Sequence, residues 1–203
     1  NFEGTLEQLR SHFGLNVAPL QIPIGKEADF KGVVDLVRQK ALIFSDDGMK
    51  VTEEEIPADL VDQAREQREK LVEATAEADD ALLEKYLEGE TLTDDEINKG
   101  LRQGVLKGKI VPVLCAAATK NLGIQPLLDL IKTYMPSPLD LEEIKGLKPG
   151  NDEEVVRKLS PSEPLSAFVF KTLADPYVGR INYFRVYSGS LKPDSQVFNA
   201  AKG

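Results

Sequence analysis

From Pro57 to Lys107 the chain is written in strong helix formers, and on both sides the sequence changes to short β-branched and apolar runs. That change of period limits the fold more than any other feature, because neither a helical bundle nor an all-β barrel accommodates both kinds of segment. Before the helical block, Phe2, Leu6, Leu9 and Phe13 recur at helical spacing, and Gly14 follows where a helix stops. The runs VAPLQIPIG (17–25), FKGVVDLV (30–37) and KALIFS (40–45) predict strands. A turn at SDDG (45–48) and a short strand at KVTEE complete a small antiparallel sheet.

Within the block, Pro57 marks the first turn of a helix, and Gly89 ends a second one. Thr93 followed by Glu96 has the spacing of a capping box, which starts a third helix running to about Lys107. The segment KGKIVPVLCAAATK then predicts a strand, and GIQPLLDLIKTYM predicts a helix closed by Pro136. One strand cannot bury both of its faces alone, so this αβ unit belongs to a larger sheet. Residues 136–164, with five prolines, two glycines and little periodicity, read as a connecting segment. Residues 165–203 alternate apolar runs with Asp-Pro and Ser-Gly turns, as three strands of an antiparallel barrel would, too few to close it and leaving exposed edges.

The net charge of −9 is unevenly spread. Residues 53–96 hold seventeen acidic and four basic residues, and the remainder holds seventeen acidic and twenty-one basic ones. Asp59, Asp62, Glu66, Glu69, Glu73 and Glu77 recur at steps of three or four, which predicts six carboxylates along one helix face. Leu60, Ala64, Leu71, Thr75 and Ala78 form the adjoining apolar stripe, while Arg65, Arg68 and Lys70 lie off the acidic row. Such a face either stays solvated or attracts a basic protein surface, and it repels phosphate backbones.

Among the 203 residues, 41% are hydrophobic and 29% charged, and no apolar run approaches the roughly 20 residues of a membrane span. The amphipathic, acidic start does not read as a secretory leader. Cys115, the single cysteine, can neither close an internal disulfide nor anchor a multi-cysteine zinc site, so a reducing cytoplasm is the expected compartment.

Nucleotide chemistry needs motifs that this stretch lacks. No glycine has a second glycine five positions later, so there is no GxxxxGK[ST] to cradle phosphates, and Asn98-Lys99-Gly100-Leu101 has the wrong fourth residue for a guanine-reading NKxD. Asp29-Phe30-Lys31-Gly32 matches DxxG loosely and is read as a turn between strands. His12, the only histidine, sits at a helix end with no nucleophile or carboxylate set around it. Lys171, Arg180, Arg185 and Lys192 are interleaved with Phe168, Phe170, Tyr183, Phe184 and Tyr187, a pattern that suits either barrel core or RNA contact.

Three stretches carry a family likeness: APLQIPIGKEADFKGVVDLV, VPVLCAAATKNLGIQPLLDLIKTYMPSPLD and PLSAFVFKTLADPYVGRINYFRVYSGSLK. In this order, with the acidic helical insert between the first two, they resemble elongation factor G, a family of ribosome-associated translational GTPases. The resemblance implies an α/β fold with an α+β insert: a partial P-loop GTPase G domain, then the first strands of a translation-factor β-barrel. Its implied parts are the end of a G-domain segment at 1–16, an insert subdomain at 17–109 with a sheet over 17–54 and helices over 57–107, and a returning strand and helix at 110–135. A linker at 136–164 and the start of domain II at 165–203 follow.

The likeness also implies a parent that holds GTP or GDP with magnesium and couples hydrolysis to movement of tRNA and mRNA in protein synthesis. This stretch itself is expected to be catalytically silent, without catalytic residues, metal ligands or a bound cofactor. Ala117, Ala118 and Thr119 match the family's Ser-Ala-x loop, whose backbone N–H reaches the guanine oxygen in the intact parent. Ala117 stands in place of the serine and removes a bracing hydroxyl, which a backbone donor at Ala118 does not need. The row from Asp59 to Glu77 is implied to meet the basic C-terminal domain of the ribosomal stalk protein, and domain II to touch small-subunit rRNA, with no membrane partner. A ribosome-protection or release-type paralogue, or a free-standing acidic interaction module, are the alternatives.

Overall fold

A computed structural model describes residues 1–13, 16–141, 143–151 and 153–203. The chain forms two compact units, Asn1–Met135 and Pro136–Gly203. In the first, helix α1 (Phe2–Phe13) buries Leu6. Its expected stop at Gly14 lies outside the described residues. The sequence predicts one strand over 17–25, and here the structure differs. The chain makes two strands in different sheets, β1 (Asn16–Pro19) and β2 (Gln21–Ile24). Leu20 is the junction: its N–H donates to Val113 O at 2.9 Å, and its carbonyl accepts from Leu36 N at 3.0 Å. The antiparallel sheet therefore begins at Gln21 rather than at residue 17.

That sheet runs β2–β3–β4–β5, with β3 (Gly32–Asp35), β4 (Lys40–Phe44) and β5 (Val51–Glu54), each pair antiparallel. Strand β1 instead pairs in parallel with β6 (Ile110–Val113), Asn16 opposite Ile110 and Pro19 opposite Val113. β2 and β3 bury nearly every residue, whereas β5 is exposed throughout, as befits an edge strand.

The helical block yields three helices, α2 (Val61–Ala76), α3 (Asp80–Leu87) and α4 (Asp94–Leu106). Helix α2 starts four residues later than Pro57 suggests, because 57–60 form a turn closed by Leu60 N donating to Pro57 O at 2.8 Å. Asp79 caps α3 by accepting from Ala81 N and Leu82 N. Glu90 N to Lys85 O and Gly89 N to Tyr86 O close its far end. Gly104 lets α4 approach β6, since a Cβ there would lie 2.4 Å from Ile110 Cδ1. The core formed this way joins Ile22 and Val34 of the sheet, and Leu36 just after β3, to Leu71, Ile97 and Leu101 of the helices and to Ile110. Helix α5 (Ile124–Tyr134) adds Leu130 and Tyr134 to the same cluster.

The capping box at Thr93 forms as its spacing predicts. Thr93 Oγ1 accepts from Glu96 N, and Glu96 accepts from Thr93 N at 2.8 Å. Lys85 Nζ also donates to Glu96 Oε1 at 2.7 Å. These bonds, the Lys85 contact foremost, hold the Glu96 carboxyl down to about 2. With a folded value below the ordinary 4.5, the stabilisation is complete above pH 4.5 and is lost as pH falls through about 2. Thermal unfolding of Glu96→Gln is therefore expected to show a weaker fall in Tm between pH 5 and pH 2.5 than the parent chain. Equal slopes would contradict that assignment.

In the second unit, residues 136–164 are more than a connecting segment. They contain a hairpin of β7 (Glu143–Leu147) and β8 (Glu154–Lys158), closed by Lys148 N donating to Glu153 O at 2.8 Å. Beyond it, β9 (Ser166–Asp175) pairs with β10 (Gly179–Ser188) around a turn in which Asp175 Oδ1 accepts from Tyr177 N and Val178 N. Two strands form where the sequence predicts three, since 189–203 contain turns and no strand. Phe168, Phe170, Tyr183 and Phe184 remain exposed on this ribbon. No helix among the described residues is long and apolar enough to cross a membrane.

Candidate functional site

After β6 the chain closes a short loop that carries the residues singled out for guanine contact. Ala117 N donates to Leu122 O at 2.9 Å, and Ala117 O accepts from Leu122 N at 3.2 Å. A single 3₁₀ turn, Ala118–Lys120, fills the loop, with Lys120 N donating to Ala117 O and Asn121 N to Ala118 O. The N–H of Ala117 is thus consumed by the loop's own closure. Ala118 and Thr119 are exposed, and their N–H groups find no acceptor among the described residues. Of the three residues, one shapes the loop and two present outward backbone donors.

The loop is braced from a distant segment. Asn121 adopts a left-handed conformation at φ 60°, and its Nδ2 donates to Asp47 O at 3.3 Å. Gln125 Nε2 donates to Met49 O at 3.3 Å. Asp47 and Met49 belong to the turn between β4 and β5, whose Gly48 has φ 66° and lies so close that a Cβ there would stand 2.2 Å from Asn121 O. Asp-Gly spacing identifies this turn in the sequence, but nothing local reveals what the turn leans on. Behind the loop, Cys115 N donates to Gln21 Oε1 at 3.4 Å, and burial pushes the Cys115 thiol up to about 11, which leaves it unreactive at neutral pH.

The carboxylate row is corrected in its geometry. Asp62, Glu66, Glu69 and Glu73 lie on α2, while Asp59 precedes the helix in the turn and Glu77 is its C-cap. All six side chains are exposed. The opposite stripe buries Ala64, Gln67, Leu71 and Thr75, so the predicted division of the helix into a wet and a dry side holds. Two of the cations expected to lie off the row pair with it: Arg65 with Asp62 at 2.8 Å, and Lys70 with Glu66 at 2.6 Å. Arg68 turns the other way. Its guanidinium donates to Leu36 O at 2.6 Å, to Val37 O, and to Asp94 Oδ1 at 2.8 Å, which pins α2 to the sheet and to the start of α4. Glu69 and Glu73 carry no ion pair among the described residues and, with Asp59, hold unneutralised charge of the row.

On the β9–β10 ribbon, register places Lys171 opposite Tyr183 and Arg185 opposite Phe168, with a bulge between the two pairs. Arg180, opposite Ala174, falls on the other face of β10, and Lys192 lies beyond the strand. The four cations therefore do not form one patch. Among the described residues no group of histidine, cysteine and carboxylate side chains is arranged to hold a metal ion.

No protein-family model matches the chain. Among solved structures it is similar to the crystal structure of a protein from Thermus thermophilus, with a TM-score of 0.74 and 32% sequence identity. The likeness covers 96% of this chain and 26% of that protein. The mixed α/β fold described above is thus shared with a segment amounting to about a quarter of a longer Thermus protein.

Proposed function

We propose that this chain is the ribosome-docking part of a translational GTPase resembling elongation factor G, with the hydrolytic motifs lying outside it. The observation that carries this reading is the exposed carboxylate row of α2, in which Glu69 and Glu73 project unpaired charge while the other side of the helix is locked into the core. A net-negative face on a rigid support suits long-range attraction to a basic partner, in this reading the C-terminal domain of the ribosomal stalk protein. In the intact parent, the outward N–H of Ala118 would meet the guanine oxygen of GTP or GDP, whose phosphates and magnesium would be held by residues outside this chain. The ribbon of β9 and β10 would begin the barrel that faces the ribosome, with rRNA contact limited to Lys171 and Arg185 on one face. The parent would then act in protein synthesis in the cytoplasm.

Reversing Glu66, Glu69 and Glu73 to Lys tests the reading. Binding to the isolated stalk C-terminal domain is expected to weaken by about tenfold or more at 50 mM salt, mostly through the association rate, and the difference is expected to shrink as salt shortens the screening length. Glu69 and Glu73 are expected to dominate the effect, because Glu66 is already paired with Lys70. Unchanged affinity at low salt would overturn the docking proposal.

A further inference from the structure

Helix α3 is tied to the rest of the first unit by few of its residues. Leu82 packs against the buried cluster, and Lys85 reaches Glu96 of α4 at 2.7 Å and Glu90 at 3.8 Å, yet no residue of the helix is fully buried. Leu83, Tyr86 and Leu87 belong to neither buried cluster. Their spacing of three and four residues sets them in one stripe along the helix. Leu87 is 75% exposed and Tyr86 36%, while Leu83 is half-buried. Single apolar side chains are ordinary on a surface, whereas a stripe of three on a helix that packs by other residues marks a contact surface.

The charges beside the stripe decide what can cover it. Asp80, Glu84 and Glu88 recur every four residues along its edge, are exposed, and carry no ion pair among the described residues. Lys85, the one cation of α3, is drawn to Glu96 and Glu90 and does not offset them. The apolar stripe is therefore bordered by unneutralised carboxylates, which repel an anionic lipid surface or a nucleic acid and attract the cations of a protein. These carboxylates also continue the row on α2, because Asp80 follows Glu77 by three residues. Apolar residues at i, i+3 and i+4 are the pattern by which one amphipathic helix packs on another protein surface.

We propose that the outer stripe of α3 is an apolar anchor for a basic amphipathic helix of a partner protein. Leu83, Tyr86 and Leu87 meet the partner's apolar residues, and Asp80, Glu84 and Glu88 meet its lysines or arginines. The partner's identity rests on the docking reading above, to which the stripe adds a contact that charge alone does not supply. Carboxylates speed the approach, and apolar contact slows the departure.

Two synthetic helical peptides of about 18 residues, with lysines on one side and either leucines or glutamines on the other, are the probes, titrated calorimetrically into the full chain. The leucine peptide is expected to bind saturably and about tenfold more tightly than the glutamine peptide of equal charge. Leu87→Ser is expected to abolish that advantage, and Leu87→Lys to weaken both peptides as well. Because Leu87 lies in neither buried cluster, both variants are expected to keep the parent's thermal melt, and Tyr86→Ser replaces them if they do not. A leucine peptide with no advantage in the parent chain, or an advantage that persists in the folded variants, would overturn the proposal. Dimers of the parent chain that Leu87→Ser disperses would assign the stripe to a second copy and overturn the choice of partner. The stalk C-terminal domain separates the two readings: if charge reversal at Glu66, Glu69 and Glu73 leaves its binding unchanged, the docking reading falls, whereas a leucine advantage indifferent to Leu87 removes the anchor alone.

Discussion

Leu71→Ala is expected to cost about 2–5 kcal/mol of stability and to lower the urea midpoint of the first unit accordingly. Leu71 is 1% exposed and sits in the middle of the buried stripe of α2, inside a cluster fed by the antiparallel sheet, by α4 and by β6. Removing its branched end leaves a void bordered by elements that are held in place by other bonds. Arg68 fixes α2 to the carbonyls of Leu36 and Val37, and the Thr93 capping box fixes the start of α4, so the walls have little freedom to collapse. The matched control is Glu69→Ala, two residues away on the wet side of the same helix, where a change within about 0.5 kcal/mol is expected. A loss below about 1 kcal/mol for Leu71→Ala would mean that this cluster does not hold the unit together.

Gly48→Ala is expected to be nearly as damaging although it adds only one methyl group, because Gly48 is buried within its turn. Two costs combine. A residue with a Cβ at φ 66° pays about 1–2 kcal/mol for the left-handed conformation, and the methyl would meet the Asn121 carbonyl at 2.2 Å, an overlap of the kind that costs about 1–3 kcal/mol when the backbone must give way. The turn then withdraws from the 117–121 loop, and the bonds from Asn121 to Asp47 O and from Gln125 to Met49 O are lost with it. Amide chemical shifts of Ala118 to Asn121 are expected to move as much as those of residues 45–50. A spectrum in which only the turn responds would show that the loop stands without this support.

How much of this could be read from residues depended on whether the determining interaction was local. The capping box at Thr93 and Glu96 is written within four residues, and it forms. The dry stripe of α2 follows from a period of 3.6, and it is buried, with Gln67 added to the residues foreseen. What pattern could not supply was partnership at a distance. The apolar run 17–25 is continuous in hydrophobicity, yet Leu20 divides it between two sheets because its N–H and C=O face partners at residues 113 and 36. The β7–β8 hairpin was hidden because its half-buried positions include Arg157 and its partner face offers Gly146, so the two-residue alternation never reaches the usual apolar contrast. Among the carboxylates, spacing placed Asp62, Glu66, Glu69 and Glu73 on one helix, while the turn that holds Asp59 outside it gave no signal in the spacing. The supports that position the loop, Gly48, Asn121 and Gln125, come from segments about 70 residues apart, and no local signal linked them.

The parallel pairing of β1 with β6 has a thermodynamic consequence. Two parallel neighbours need a crossover of a dozen residues or more, and here the connection is the whole stretch from Leu20 to Lys109. A stretch whose two ends lie side by side resembles a detachable module, but its helices share one buried cluster with Ala18, Ile110 and Leu130 outside it. Amides in the centres of α2, α4 and β6 should therefore exchange with solvent through a single opening reaction of common free energy, and a force applied to the carboxylate row would be borne by this unit as one cooperative body.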